Sequence, residues 1–319
     1  MENTFKLNEV DKVEILTLQD NFIEITAFDN SDIISRARLL LHGEIRNSIR
    51  AEHGFSAIIK TTVADRTRTL LFDFGFSKDG AAANARALGI DMGEVEVMTL
   101  SHGHSDHFLG FEKIVKMIGK EGIQLVLHPA AFKQKRYLKF AGDFKAHFPS
   151  ITRKKIEKKG VRVIETKNPL MLLDGDALYL GEIDRQTGFE KGMPNAFFIN
   201  NGIEVWDPIE EDTGVAINLK GKGLIILTGC SHSGIVNTVN YARTITGVSA
   251  IHVIMGGFHL GGPAFEPIVE KTIQELKKIK PTYIVPTHCT GIKSVMEIEK
   301  EMPTQFILNM AGTKLTFAS

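Results

Sequence analysis

Ser101-His102-Gly103-His104-Ser105-Asp106-His107 is the stretch that decides how the rest of the chain is read. Four potential metal ligands, His102, His104, Asp106 and His107, fall within six positions, directly after the apolar run Val95 to Leu100. Imidazole nitrogen and carboxylate oxygen suit zinc, iron or manganese. A turn that aims alternate side chains inward lets His102 and His104 bind one ion, while Asp106 and His107 reach a second beside it. Two neighbouring ions can activate a water and stabilise developing negative charge. A polar loop with chance histidines is the weaker account, because buried histidines rarely cluster without a ligand or partner. Gly103 and the small Ser105 fit a backbone that wraps tightly around an ion.

Outward from this segment the pattern is that of a layered α/β protein. Before it, strands are expected at Val13 to Leu18, Phe55 to Val63 and Thr69 to Phe72, then a helix after Gly75. After it, a helix is expected from Phe111 to Lys120 and a buried strand from Ile123 to Leu127. That strand is stopped by His128-Pro129. Short strands follow around Val161, Leu170, Leu178, Ile203, Val215 and Leu224, with Lys220-Gly221-Lys222-Gly223 as a hairpin turn. Helices at Ile235 to Thr246, Pro267 to Ile279 and Ile292 to Lys300 alternate with strands at Ile251 and Tyr283. No repeat at solenoid spacing interrupts this order.

One segment differs in composition. Residues 129–160 carry ten lysines and arginines against Asp143 and Glu157. We read it as a basic helical insertion within one domain spanning 1–319. It is either a lid over an anionic substrate or, on base rates, a solvated face.

Lys+Arg and Asp+Glu both number 38, so global charge argues neither for nucleic acid nor for a membrane. No apolar run approaches the roughly 20 residues needed to span a bilayer. Met1 to Lys12 is polar and lacks a signal-peptide core. The expectation is a cytoplasmic protein, with Cys230 and Cys289 reduced rather than paired. Cys289 is expected to be a small packing residue.

The sequence resembles the metallo-β-lactamase superfamily, motif by motif. Leu71-Phe72-Asp73-Phe74-Gly75 is similar to its first motif, a strand ending in the aspartate that orients the metal loop. Ser101 to His107 is similar to the second, Thr228-Gly229-Cys230 to the fourth, and Pro286-Thr287-His288 to the fifth. The resemblance implies a four-layer αββα sandwich, one or two divalent ions (zinc first, iron or manganese also compatible), and His288 as a ligand of the second ion. Two departures stand out. The third motif normally supplies a histidine, and Thr152 to Cys230 contains none. His232 is the first choice to replace it and His259 the second. The usual bridging aspartate is replaced by Cys230, which either binds metal as a thiolate or faces substrate.

Further segments narrow the resemblance. Ala51 to Ser56, Gly181 to Arg185 with Phe189-Glu190, Thr228 to Asn237, Gly256 to Leu260 and Pro286 to Gly291 together resemble one branch. It is named for 7,8-dihydropterin-6-methyl-4-(β-D-ribofuranosyl)aminobenzene-5′-phosphate synthase. That branch implies transfer of a dihydropterin to a ribosylated aminobenzene phosphate, a step of methanopterin biosynthesis. By this resemblance Asp106 and Cys230 are the expected catalytic groups. Glu52, His53, Arg185, Glu190 and His259 are expected to meet a small anionic substrate. Arg185 would hold a phosphate through its planar fork. The turn Gly229 to Gly234, ahead of a helix, could cradle another on backbone N–H groups. His42 and His252 are expected to be structural. A metallo-hydrolase of a phosphodiester, lactone or thioester fits the shared motifs as well. An RNA nuclease has only the basic insertion behind it. A ligand sensor without catalysis is opposed by the intact His102 to His107 cluster.

Overall fold

The computed structural model describes residues 4–319 apart from Leu39, His42, Arg46 and Asn47, and without the side chains of Leu41 and Asp143. The structural role expected of His42 lies outside the described residues.

Two large sheets face each other. The first has eight strands, including Lys12–Gln19, Ser56–Val63, Arg66–Phe72, Val97–Thr99 and Gln124–Leu127. The second has seven, including Gly214–Leu219, Gly223–Thr228, Ile251–Gly257 and Tyr283–Thr287. Their inner faces share one core, in which Ile15, Ile59, Leu70 and Phe72 of the first sheet meet Val215, Leu227, Val253 and Val285 of the second.

Helices close both outer faces. Gly80–Ala87 and the strongly amphipathic Phe111–Ile118 pack their apolar sides on the first sheet, through Ala81, Ala85, Ile114 and Ile118. Ile235–Thr246, Glu266–Ile279 and Ile292–Glu301 cover the second through Val239, Ile273, Leu276 and Ile298. The order helix, sheet, sheet, helix is the expected four-layer sandwich. Among the described residues no helix is long and apolar enough to cross a membrane.

The sheets also fix where chemistry can occur. Arg66–Phe72, Val97–Thr99 and Gln124–Leu127 run parallel in one sheet. Gly223–Thr228, Ile251–Gly257 and Tyr283–Thr287 run parallel in the other. The loops after parallel strands gather at one edge, the usual place for a site in such sheets. Asp73, the His102 to His107 segment, Cys230 to His232, His259 and His288 all lie in those loops.

The basic stretch 129–160 departs from the helical expectation. It holds the strands Arg136–Lys139 and Lys145–His147, one short α-helix, Arg153–Glu157, and two single 3₁₀ turns. Tyr137 and Leu138 pair with Phe197 and Ala196, so the stretch builds a separate four-stranded sheet with Ala196–Asn200 and Ile203–Trp206. Its positive charge is mostly matched from outside. Lys133 pairs with Asp207 and Glu210, Arg136 with Asp207 and Glu211, and Lys139 and Lys145 with Glu204. Charge within the stretch alone does not reveal these partners, which lie 59 to 77 residues away.

Candidate metal centre

Asp73 is the keystone of the edge where the two sheets open. It ends its strand with φ +58°, a left-handed turn that aims the carboxylate at the neighbouring loop. One oxygen accepts from the Ser101 N–H at 2.7 Å, and the other contacts Ser101 Oγ at 2.7 Å and His107 Nδ1 at 2.6 Å. A carboxylate on Nδ1 fixes the ring and leaves Nε2 pointing inward, the arrangement that suits a metal ligand. Gly229 lets the opposite sheet approach this point, because a Cβ there would lie 2.1 Å from Ser101 Oγ.

Seven side chains then converge as two groups. His102, His104 and His232 bring their ligand atoms within 4.8 Å of one another. Asp106, His107, Cys230 and His288 do the same. Within the second group His107 Nε2 lies 3.1 Å from Cys230 Sγ, and His288 Nε2 lies 3.2 Å from Asp106 Oδ2. His232 therefore joins the first pair of histidines, and Cys230 joins the second group. His104 is held from outside by Phe148, whose ring stacks on it at 4.3 Å.

The fit to a cation rests on unpartnered atoms. Nε2 of His102 and of His232 is buried with no hydrogen-bond partner in the protein, and Nε2 of His288 meets only the Asp106 carboxylate. A buried polar atom without a partner is costly, and a metal removes that cost. Burial, with neighbouring imidazoles adding to it, holds His102 and His232 far below the usual histidine range. Burial also brings His104 down to about 3 and His288 to about 4. All four are thus neutral near pH 7, the form that ligates. Burial works against ionisation of Asp106, but His107, His288 and His53 outweigh it and hold the carboxylate far below its usual range. Burial and the adjacent Cys289 push the Cys230 thiol far up. A bound cation acts in the opposite sense.

The expected substrate-facing residues divide. His53 reaches the rim, 59% exposed, with Nε2 3.3 Å from Asp106 Oδ2. His259 lies against His232, ring centroids 4.4 Å apart, and its Nδ1 has no partner. Glu52 instead accepts from Ser77 Oγ at 2.8 Å beside the start of the helix Gly80–Ala87. Glu190 accepts from the N–H groups of Val236 and Asn237, both at 2.9 Å. Ser233 N–H is taken by Asp212 at 2.8 Å. Protein carboxylates thus occupy the turn expected to cradle a phosphate. Arg185 also turns inward, its Nη2 donating to the Pro208 and Ile209 carbonyls, so its fork is not displayed as the sequence suggested. His252, between Tyr283 and Phe317, is structural as expected.

Sequence reasoning missed the supports on the far side. Asn21 Oδ1 lies 3.1 Å from His288 Nδ1, and its Nδ2 donates to the His288 carbonyl at 3.0 Å. Asp20 accepts from the His288 N–H at 2.8 Å. Glu211 accepts from the Gly103 N–H at 3.3 Å, in the middle of the histidine segment. Nothing in the local spelling of Gln19-Asp20-Asn21 or Glu210-Glu211 announces these contacts.

The model of the metallo-β-lactamase superfamily matches residues 54–288. The chain belongs to that superfamily. Among curated relatives it is 33% identical over 274 residues to the 7,8-dihydropterin-6-methyl-4-(β-D-ribofuranosyl)-aminobenzene-5′-phosphate synthase of Methanocaldococcus jannaschii. That alignment covers 84% of this chain and 90% of the relative. A second protein of the same organism, described only as uncharacterized, is 29% identical over 82% of this chain and 93% of its own length. Among solved structures, a metal-dependent hydrolase of the β-lactamase superfamily superposes with a TM-score of 0.71 at 24% identity, covering 96% of this chain and all of that one. It shows the superfamily's fold.

Proposed function

We propose that this superfamily member is a metal-dependent transferase that joins a dihydropterin, carried as its diphosphate, to a ribosylated aminobenzene phosphate. The observation that carries this reading is the convergence of seven ligand-type side chains, two with orphaned buried Nε2 atoms, in a chain 33% identical to a synthase of that name. His102, His104 and His232 would hold one ion; Asp106, His107, Cys230 and His288 would hold the other. When bound, such ions supply Lewis-acid stabilisation of the charge that grows on a diphosphate leaving group.

The chain's own residues do the remaining work. Asp73 keeps the Ser101 to His107 loop and the His107 ring in place. Asn21 and Asp20 fix His288. His53 stands at the open rim, where incoming substrate passes. In the transfer, a bond forms between the amine nitrogen and the methylene carbon of the pterin. The carbon–oxygen bond to the diphosphate breaks, its electron pair leaves with the diphosphate, and the amine gives up a proton. No hydrolytic water takes part.

The test is a coupling assay with dihydropterin diphosphate and the ribosylaminobenzene phosphate, with metal content measured beside it. Product formation that is lost together with metal in His102→Ala supports the reading. Release of diphosphate without the acceptor would replace transfer by hydrolysis. A fully metallated, active His102→Ala protein would overturn the site.

A further inference from the structure

A slot of about 500 Å³ opens beside His232. Its walls are apolar and largely aromatic: Phe189, Trp206, Phe258 and Phe265, with His259 at the end next to the three-histidine cluster. Phe265 meets the His259 ring edge-on at 4.6 Å, and Trp206 is anchored by its Nε1 donating to the Met193 carbonyl at 2.9 Å. A slot with this lining favours a flat ring, because its walls offer stacking faces and, Glu190 and Lys191 apart, are mostly apolar. Two unpartnered polar atoms belong to its lining residues, His232 Nε2 on the metal side and His259 Nδ1 on the slot side. The latter suits the nitrogen-rich edge of a heterocycle. A larger neighbouring cavity, about 930 Å³, is lined by Glu182, Asp184 and Glu210 as well as Lys167 and Arg185, and offers a ring less apolar cover.

We propose that the slot between Phe189, Trp206, Phe258 and Phe265 is the subsite for the heteroaromatic ring of the substrate, with His259 meeting the ring's polar edge and His232 standing at the end where the metals would sit. This inference rests on the proposed function for the identity of the ring, a dihydropterin. It makes the slot, rather than the basic strands, the element that selects substrate.

Trp206 is the only tryptophan of the chain, 41% exposed, and lines both this slot and the neighbouring cavity, so its fluorescence reports a ligand in either and the variants decide between them. The experiment titrates the metal-loaded protein with 6-hydroxymethyl-7,8-dihydropterin, which has no diphosphate and cannot react, and follows Trp206 fluorescence. Saturable quenching is expected. Phe265→Ala should raise Kd by about tenfold through loss of one aromatic wall. Ala264→Leu, an exposed change at the slot's mouth, should raise Kd similarly without burdening the fold. His259→Ala should weaken binding with metal content unchanged. Lys167→Ala, which belongs to the neighbouring cavity, should leave Kd as it was. Quenching that responds to Lys167→Ala and ignores Phe265→Ala and Ala264→Leu would overturn the assignment, as would a working coupling assay with no quenching at all. Quenching that follows the slot variants while the coupling assay fails would keep the subsite and reject the transferase reading.

Discussion

The two ligand groups of this site are built from different materials. His102, His104 and His232 are all imidazoles, all buried, and none hydrogen-bonds another. Asp106, His107, Cys230 and His288 mix carboxylate, imidazole and thiol, and hold one another through contacts of 3.1 Å and 3.2 Å. The first group carries no charge of its own and leaves Nε2 atoms stranded. The second carries an anion already balanced by its neighbours. The lesson is that the first group depends on a cation to be satisfied, whereas the second is partly satisfied without one.

The largest effect should come from breaking that asymmetry at its weak side. His232→Ala removes one of three ligands, and we expect metal content to fall from about two ions to about one per chain. Turnover should drop by about a thousandfold, several kcal/mol of lost charge stabilisation. Cys230→Ala removes one of four and should cost less metal. Elemental analysis of the two variants side by side decides the matter. Equal losses would erase the distinction between the groups, and a greater loss in Cys230→Ala would reverse it.

The supports differ in kind as well. Behind the three-histidine group stands a buried ion network. Arg136 bridges Asp207 and Glu211, and Glu211 reaches the Gly103 N–H between His102 and His104. Arg136→Met leaves buried Glu211 without its cation, while Asp207 keeps Lys133, and should destabilise the fold by about 3 kcal/mol, read by urea unfolding. The pH dependence follows from Glu211. Burial alone would raise its carboxyl, but the charge of Arg136 and its hydrogen bond hold it at about 2, below the ordinary 4.5. A carboxyl depressed in the folded state stabilises fully above its unfolded value and loses that contribution as pH falls through the folded one. The stability gap between the natural protein and Glu211→Gln should therefore be widest above pH 4.5 and close between 4.5 and about 2. A gap that stays constant across that window would remove Glu211 from the account.

What the sequence disclosed follows the same division. The candidate metal loop was legible because its ligand-type residues are neighbours in the chain and follow one apolar strand. His288 and Asp73 were legible because each ends a strand whose apolar run is plain. Cys230 and His232 could be proposed but not placed, since two residues decide which group each joins and only the φ +54° turn at Ser231 separates them. The Asp20-Asn21 and Glu211 supports were illegible because their partners lie 267 and 108 residues away. The helical reading of 129–160 failed for a related reason. Lysine and arginine spacing looks helical on its own, but Tyr137 and Leu138 find strand partners at Phe197 and Ala196 that no local pattern reveals. Glu190 and Arg185 were assigned outward because a charged residue in a loop gives no sign of the backbone groups it will meet.

The smallest expected effect tests the support of the mixed group. Asn21 touches His288 on both its ring and its carbonyl, and its Nδ2 also lies 3.2 Å from His53 Nδ1. With Asn21 Oδ1 accepting from His288 Nδ1, the lone pair is left on Nε2, where the second group needs it. Asn21→Ala frees the ring to take the other tautomer, with Gly54 N–H donating to Nδ1 across the 3.2 Å already present. Affinity for the second ion should fall by about tenfold, the low end of what a lost outer partner costs. Affinity for the first ion should not move, because His102, His104 and His232 make no contact with Asn21 among the described residues. Stepwise metal titration separates the two ions. A loss confined to the second ion is the expected result. An equal loss in both steps would mean that the two groups share one support and behave as a single centre.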